Sequence, residues 1–134
     1  MAIFGAIGIA GTGLTVYRKW MDAVSDNIAN LNDVARTSGP AFQARYVIAQ
    51  SVPAAYGAGV QVAGTALGPS AGRVVYDPGH PLADANGLVR YPDIDLGSQM
   101  TQLIMAQRGY QANLAVVDRA HDAYTAALEL GRSA

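Results

Sequence analysis

The chain has 134 residues, the length of one domain, and carries a formal net charge of −1 with only 14% charged residues. This weak and balanced charge excludes the basic patch of a nucleic-acid-binding protein and the charged block of a solvated tail. The sequence contains no cysteine, which excludes disulfide bonds and thiolate metal sites.

Residues 1–32 are predicted to form one long amphipathic helix. Apolar residues recur in alternating steps of four and three, which is the heptad pattern of a helix that packs against another helix in a coiled coil. Small and apolar residues flank this stripe where Glu and Lys are usual, so the helix can pack on more than one neighbour. The stripe consists of Ile3, Ile7, Ala10, Leu14, Tyr17, Met21, Val24, Ile28 and Leu31.

Glycines weaken this first helix. Gly11 and Gly13 would allow another backbone to approach closely, but each costs about 1 kcal/mol of helix stability relative to Ala. We therefore expect the helix to be marginal in the isolated chain and to gain order on assembly.

The same segment is predicted to be neither a targeting signal nor a membrane span. Its first charge is Arg18, so the basic start of a signal peptide is missing, and glycines and threonines dilute the apolar stretch. The G-x-x-G-x-G spacing of residues 8–13 differs from the order found in nucleotide-binding loops, and small residues for helix packing explain it.

Residues 40–92 are predicted to form a small, irregular β segment. Gly39-Pro40 ends the first region, and short β-branched runs follow at 44–49, 60–63, 73–76 and 88–91, with their pairing left open. Two turns have specific signals: Asp77-Pro78-Gly79 favours a reverse turn, and Asn86-Gly87 favours a type I′ hairpin turn.

A second helix is predicted over residues 95–130, with Asp95 as its N-cap and Gly131 as its C-terminal stop. Gln107 and His121 are polar residues within its predicted stripe, and we expect them to fix the register of packing at some cost in stability. The apolar members of the stripe are Leu96, Met100, Leu103, Tyr110, Leu114, Val117, Tyr124 and Leu128.

No catalytic, cofactor-binding or metal-ligating residue is predicted. His80 and His121 have no second histidine at helical metal-site spacing, and the aspartates of the turn-rich segment lack calcium-loop spacing. We expect a structural protein without enzymatic activity, cofactor or small-molecule substrate.

The predicted fold class is mainly α, with two long terminal helices that pair as a coiled coil around a small β-rich middle segment. The predicted segments are residues 1–39, 40–94 and 95–134, of which the first and third form one helical domain. The apolar residues expected to carry an assembly interface are Ile7, Leu14, Tyr17, Met21, Val24, Ile28, Leu31, Met100, Leu103, Tyr110, Leu114, Val117, Tyr124 and Leu128.

Two short motifs resemble a known family. Ser25-Asp26-Asn27-Ile28-Ala29-Asn30-Leu31-Asn32, followed by Thr37, is similar to the N-terminal signature of bacterial flagellar rod and hook proteins, and Arg108-Gly109-Tyr110-Gln111-Ala112-Asn113 is similar to their C-terminal signature. The block from Val75 to Val89 resembles one member closely, so the resemblance covers essentially the whole chain. Pro40-Ala41-Phe42 and residues 117–121 depart from the usual pattern.

The resemblance implies a subunit of the basal-body rod, in the periplasmic part of the cell envelope. Such subunits assemble helically with their own copies and other rod subunits and transmit motor torque. They are exported unfolded by the flagellar type III apparatus without a cleaved signal. Their terminal helices form an inner coiled-coil layer, with the middle segment outside it. The resemblance also implies inter-subunit contacts at Asn27, Ile28, Ala29, Asn30, Tyr110, Gln111 and Asn113.

Two other readings of the residues stay open. A soluble coiled-coil adaptor of defined stoichiometry would explain both stripes but not their uncharged flanks, and light scattering would detect it as a discrete dimer or tetramer. A membrane-active amphipathic protein would place Lys and Arg along the polar face, where this chain has Asp22 and Asp26.

Overall fold

The computed structural model describes the backbone of residues 2–133 and the side chains of residues 3–55 and 57–132. Two long helices lie at the ends of the chain, and two small antiparallel sheets lie between them, so the predicted order of elements is confirmed. Residues 1 and 134, the outermost of the predicted segments, lie outside the described residues. The elements are α1 (Ala2–Ala29), β1 (Arg45–Val52), a short 3₁₀ helix (Ala54–Tyr56), β2 (Gly59–Leu67), β3 (Arg73–Tyr76), β4 (Leu88–Tyr91) and α2 (Leu96–Ser133).

α1 ends at Ala29, three residues before the predicted end, and an asparagine side chain adds a hydrogen bond to its last turn. The Asn30 side-chain amide donates a hydrogen bond to the Asp26 carbonyl over 2.8 Å, and the Asn30 N–H donates to the same oxygen over 3.1 Å. This local bonding satisfies a carbonyl of the last turn and lets the chain leave the helix.

α2 begins as predicted and ends later than predicted. The Asp95 carboxylate accepts a hydrogen bond from the Ser98 N–H over 2.7 Å, which confirms the N-cap. The prediction that Gly131 stops the helix is wrong, since α2 continues through it to Ser133. Gly131 is not in the left-handed conformation that a helix stop requires, and a glycine alone weakens a helix by only about 1 kcal/mol.

The two helices pack antiparallel. Trp20 contacts Gln102, Gly13 lies beneath Asn113, and the Phe4 ring meets the Tyr124 ring edge-on with centroids 5.7 Å apart. α1 has 28 residues and α2 has 38, lengths of roughly 42 Å and 57 Å. Because Phe4 faces Tyr124, the last turns of α2 extend beyond the start of α1.

β1 and β2 form a hairpin that lies along the helices. Their antiparallel register runs from Arg45 opposite Leu67 to Val52 opposite Gly59, with a bulge between Ile48 and Ala49. The Gly68 N–H continues the pairing to the Ala44 carbonyl over 2.7 Å at the base of the hairpin.

The second sheet pairs β3 with β4 near the end of α1 and the start of α2. Ala35 adds a bridge to Arg90 through two backbone hydrogen bonds of 2.8 and 2.9 Å. The Arg90 guanidinium donates to the carbonyls of Thr37 and Ala71 over 2.8 and 2.9 Å. This arginine therefore fastens the segment after α1 to the sheet.

One of the two predicted turns in the β3–β4 connection is confirmed. The His80 N–H donates to the Asp77 carbonyl over 3.2 Å, as the reverse turn requires. The prediction of a type I′ turn at Asn86-Gly87 is wrong. Among the described residues other than glycine, only Ala58 has a positive φ, so Asn86 cannot supply the first position of that turn. The turn instead starts at Asp84, whose carbonyl accepts from the Gly87 N–H over 2.9 Å.

Hydrogen bonds hold the pKa of Asp84 below its ordinary value. The Leu88 N–H contributes most, followed by the Thr37 hydroxyl, while partial burial acts in the opposite direction and the Asn86 N–H adds a smaller lowering. The three donors lie 3.0, 2.8 and 2.8 Å from the carboxylate oxygens. Asp84 thus joins the turn before β4 to the segment that follows α1.

Acid is expected to weaken this junction. Because the folded-state pKa is depressed, the unfolded chain binds more protons in acid. The stabilisation is complete above the unfolded-state pKa of about 3.9 and disappears as the pH falls through the folded-state pKa. Replacing Asp84 with Asn should flatten the dependence of unfolding free energy on pH below about 4. Urea unfolding at a series of pH values would measure this, and an unchanged slope in the variant would contradict it.

Candidate assembly surface

The helix seam lies between α1 and α2 and combines small residues with larger ones. On α1 the predicted stripe faces inward, with Ala10 and Val24 buried. On α2 the buried positions among the described residues are Gln99 and Ala106, and half-buried residues continue the same face. The α2 side of the seam consists of Gln99, Gln102, Leu103, Ala106, Gly109, Tyr110, Asn113, Val117 and Ala120.

The observed seam shares only three of the eight apolar residues predicted on α2. Leu103, Tyr110 and Val117 belong to both. The other line of the seam runs through Ala106 and Asn113, one residue before the predicted positions. Gln107 and His121 are consequently exposed, so the prediction that they fix the register from within the seam is wrong.

An apolar strip on the outside of α2 remains exposed in the single chain. Met100 and Leu114 are 46% and 42% exposed, and their neighbours on the same face are also exposed. We call this surface the outer strip; it consists of the apolar residues Leu96, Met100, Ile104 and Leu114 together with the polar Gln111. Tyr124 and Leu128 are exposed further along the helix, where the Phe4 ring contacts Tyr124. Several exposed apolar side chains along one helix face are typical of a surface that another protein covers.

Asn27 has its contacts within the chain. Its side chain is fully buried, and its amide nitrogen donates to the Arg45 carbonyl and to the Gln99 side-chain oxygen, each over 3.0 Å. Its amide oxygen accepts from the Arg45 N–H over 2.7 Å. We call Asn27, Gln99 and the Arg45 backbone the amide node, which joins α1, α2 and β1. In the single chain, Asn27 is therefore enclosed and does not offer the inter-subunit contact that the family resemblance implied.

The other residues singled out by the resemblance are distributed over several environments. The Asn113 amide donates to the Gly109 carbonyl within α2 over 2.8 Å, and the Asn30 amide bonds within α1. Ile28 and Tyr110 are half-buried, whereas Ala29 and Gln111 are exposed. Sequence reasoning gave no role to Gln99, Arg45 or Thr12, because each acts through a partner distant in the chain.

α1 holds the β1–β2 hairpin at two diagonally opposite corners. Asn27 bonds the outer edge of β1 at the hairpin base, as described above. Near the tip, the Thr12 hydroxyl accepts a hydrogen bond from the Val60 N–H of β2 over 3.1 Å. Arg45 and Asp26 form an additional ion pair at the base, but both side chains are about half exposed and it adds little stability.

Apolar grooves lie beside the hairpin. The larger one, about 350 Å³, is lined by Ile9, Gly13, Val16, Tyr17, Trp20, Ala49, Val60 and Asn113. A second groove of about 280 Å³ lies on the other side of Val16 and Val60. Neither is lined by a histidine or a carboxylate, and His80 accepts a hydrogen bond from the Leu82 N–H within its turn.

The described part of the chain has neither a metal-binding cluster nor a helix suited to cross a membrane. No group of three or more His, Asp or Glu side chains is placed so that it could hold a metal ion. Of the helices formed by residues 2–133, neither combines the length and the apolar character needed to cross a membrane.

Gly13 and Gly109 permit the close approach of the helices. A Cβ on Gly109 would lie 2.2 Å from the Tyr17 ring, which is itself stacked on Trp20. Replacing Gly109 with Ala should lower the free energy of unfolding by about 1–3 kcal/mol, because overpacking outweighs the gain in helix propensity. Gly11→Ala is the matched control: nothing lies within 4 Å of its new Cβ, and it should gain up to about 1 kcal/mol. Urea unfolding measures the free energy of unfolding of both variants. Equal changes for Gly109→Ala and Gly11→Ala would contradict the role of Gly109 in the close approach.

Comparison with known proteins places the chain. A model of the flagellar basal body rod FlgEFG protein C-terminal family matches residues 85–130. The flagellar basal-body rod protein FlgC of Salmonella typhimurium is 34% identical over 134 residues, covering 98% of this chain and 100% of that protein. The FlgC proteins of Borreliella burgdorferi and Bacillus subtilis are 33% and 27% identical over 150 residues, covering 97% and 98% of this chain and 98% and 100% of those proteins.

These matches, together with the paired terminal helices and the outer strip, define the class of flagellar basal-body rod proteins. Within that class the relationship is specific and extends over nearly the full length. The chain belongs to the FlgC family of flagellar basal-body rod proteins. The resemblance found in the sequence motifs is thereby confirmed.

Proposed function

We propose that the chain is a structural subunit of the flagellar basal-body rod, which assembles helically with its own copies and with other rod proteins and transmits motor torque. The observation that carries this proposal is the match to FlgC rod proteins over 98% of the chain. The role is structural and requires no catalytic activity, cofactor or small-molecule substrate.

The exposed apolar surfaces support assembly. The seam uses one face of each helix within the chain, and the outer strip offers a second apolar face on α2. When different surfaces of identical subunits meet and the contacts do not close into a ring, they generate a helical array. Long helices that pair as a coiled coil and align with the axis of such an array would share torsional load along their length.

The proposed inter-subunit contacts are those members of the predicted interface that remain accessible in the single chain. On α2 they are Met100, Gln111, Leu114, Tyr124 and Leu128, all of them exposed. Half-buried residues also retain some surface for a neighbour. They are Ile7, Leu14, Tyr17, Met21 and Ile28 on α1, Asn30 and Leu31 just after it, and Leu103, Tyr110, Asn113 and Val117 on α2. Val24 and Asn27 are buried within the chain and are not part of this proposed set.

Delivery to the rod is proposed to occur through the flagellar type III export apparatus without removal of a signal peptide. Family membership supports this route. The proposed location is the rod of the basal body, in the cell envelope.

Genetic complementation tests the function. A strain lacking the gene should fail to build rods and to swim, and the full chain should restore both. A version without residues 1–31 should not enter isolated basal bodies, since it lacks α1. Normal rods built from the truncated chain would refute the proposal. A purified chain that forms a discrete dimer or tetramer and is absent from basal bodies would support the adaptor alternative.

A further inference from the structure

The amide node is almost completely buried, and the amide groups of Asn27 and Gln99 that face each other are hydrogen-bonded. The Asn27 side chain is 0% exposed and the Gln99 side chain is 2% exposed. The Arg45 backbone holds the Asn27 amide from both sides, so that its nitrogen is aimed at Gln99 across the seam. Buried polar groups are usually hydrogen-bonded. Leaving one without a partner destabilises a protein far more than replacing both partners with apolar groups of the same shape.

The other contacts across the seam are of a different kind. Glycine makes room for two close fits, the Tyr17 ring against Gly109 and the Asn113 side chain against Gly13. The Trp20 ring nitrogen also donates a hydrogen bond to the Gln102 side-chain oxygen over 3.4 Å at a part-buried position. A steric fit resists overpacking, whereas a buried amide pair adds the cost of unsatisfied polar groups at a wrong axial offset.

A shift of one heptad would break the amide node. Asn27 lies opposite Gln99, so a seven-residue displacement in one direction would place it against Ala106, which is fully buried. The buried Asn27 nitrogen would then lose its hydrogen bond to the Gln99 oxygen and face an alanine instead. In coiled coils, a single buried polar residue selects one register in this way.

We propose that Asn27 and Gln99 are positioning residues that select a single axial offset between α1 and α2. The Arg45 backbone orients the Asn27 amide through its two hydrogen bonds. The axial offset determines how far α2 projects beyond α1 and therefore where the outer strip lies relative to the rest of the chain. This inference concerns the isolated chain and does not depend on the proposed role in the rod.

The chain has no cysteine, which makes a distance measurement with two spin labels direct. Asp22→Cys on α1 and Ala127→Cys on α2 place the labels at exposed positions. Since Asn27 faces Gln99 in an antiparallel pair, residue 22 lies near the level of residue 104. The labels are then separated by about 35 Å, and a one-heptad shift changes this to about 24 or 45 Å. Double electron–electron resonance resolves these distances.

The parent with both labels should give one narrow distance peak. Asn27→Leu/Gln99→Met removes the polar pair while keeping apolar side chains of similar size. The fraction of chains at displaced distances should rise at least about tenfold, because the penalty on the wrong offsets disappears. Gln99→Met alone leaves the bonds between Asn27 and Arg45 intact and should also raise the displaced fraction. Gln99→Glu, which keeps an acceptor of the same reach, should retain the single parent peak.

A single peak at the parent distance in both Met variants would overturn the proposal and assign the axial offset to the packing of Tyr17 on Gly109. Loss of helical circular dichroism in both Met variants, with a broad distance distribution and no displaced peak, would also overturn it. That result would make the amide node a source of stability alone.

Discussion

Replacing Met100 with Asp is expected to abolish incorporation of the chain into the basal-body rod while leaving the isolated chain folded. Met100 lies in the outer strip and is 46% exposed, so a charge there should change the free energy of unfolding by less than about 0.5 kcal/mol. Once the strip is covered by a neighbouring subunit, the same carboxylate would be buried without a partner, which costs several kcal/mol.

Met105→Asp is the matched control for this prediction. It introduces the same charge on the same helix at a residue that is 55% exposed, but on another side of α2 and outside the outer strip. Immunoblots of isolated basal bodies and swimming assays should show a loss for Met100→Asp and near-normal incorporation for Met105→Asp. Normal incorporation of the Met100 variant, or equal failure of both, would argue against the outer strip as a specific contact.

Replacing Asn27 with Ala is expected to lower the free energy of unfolding by about 3 kcal/mol. The substitution removes three hydrogen bonds and leaves the Gln99 side-chain oxygen and the Arg45 N–H and carbonyl without their partner. Each buried polar group left unsatisfied costs about 1–3 kcal/mol. Urea unfolding followed by circular dichroism would measure the loss.

Asn30→Ala is the control for this second prediction. It deletes the same side chain from the adjacent turn, where the amide bonds only to the Asp26 carbonyl and is partly exposed. The Asn30→Ala substitution should lower the free energy of unfolding by about 1 kcal/mol or less. Equal losses of unfolding free energy for Asn27→Ala and Asn30→Ala would show that burial of the Asn27 contacts adds no stability. A double substitution with Gln99→Ala should cost less than the sum of the two single losses, since the residues are in direct contact.

The positions of the helices and strands were largely predictable from local patterns. The four β-branched runs correspond to β1–β4, and Asp95 marks the start of α2, because propensity and capping act between residues close in the chain. The Asn86-Gly87 turn was wrong since that dipeptide fits a two-residue hairpin loop, whereas β3 and β4 are joined by residues 77–87 and the Asp84 side chain organises the turn.

The inner face of α2 could only be partly predicted. A search for periodic apolar residues favours large side chains, and Met100 and Leu114 are large. The helices approach closely where side chains are small, so Ala106 and Gly109 lie inside while Met100 and Leu114 lie outside. Hydrophobic periodicity therefore identified an apolar face of α2 without telling which partner it meets.

The amide node could not be predicted from one sequence. Asn27 stands within a recognisable motif, but its partners lie 18 and 72 residues away along the chain. Nothing in the local sequence distinguishes Gln99 from the other glutamines of α2. The functional assignment, by contrast, came from short motifs and their resemblance, because a structural subunit offers no reactive group from which a function could be derived.

The two attachments of the β1–β2 hairpin to α1 have a mechanical consequence. Thr12 and Asn27 are 15 residues apart along the helix, about 22 Å, and they hold opposite edges of the sheet. A single attachment would be a pivot about which the hairpin could swing. Two attachments on opposite edges prevent this swing. A rotation of α1 about its own axis therefore turns the hairpin with it as one rigid body.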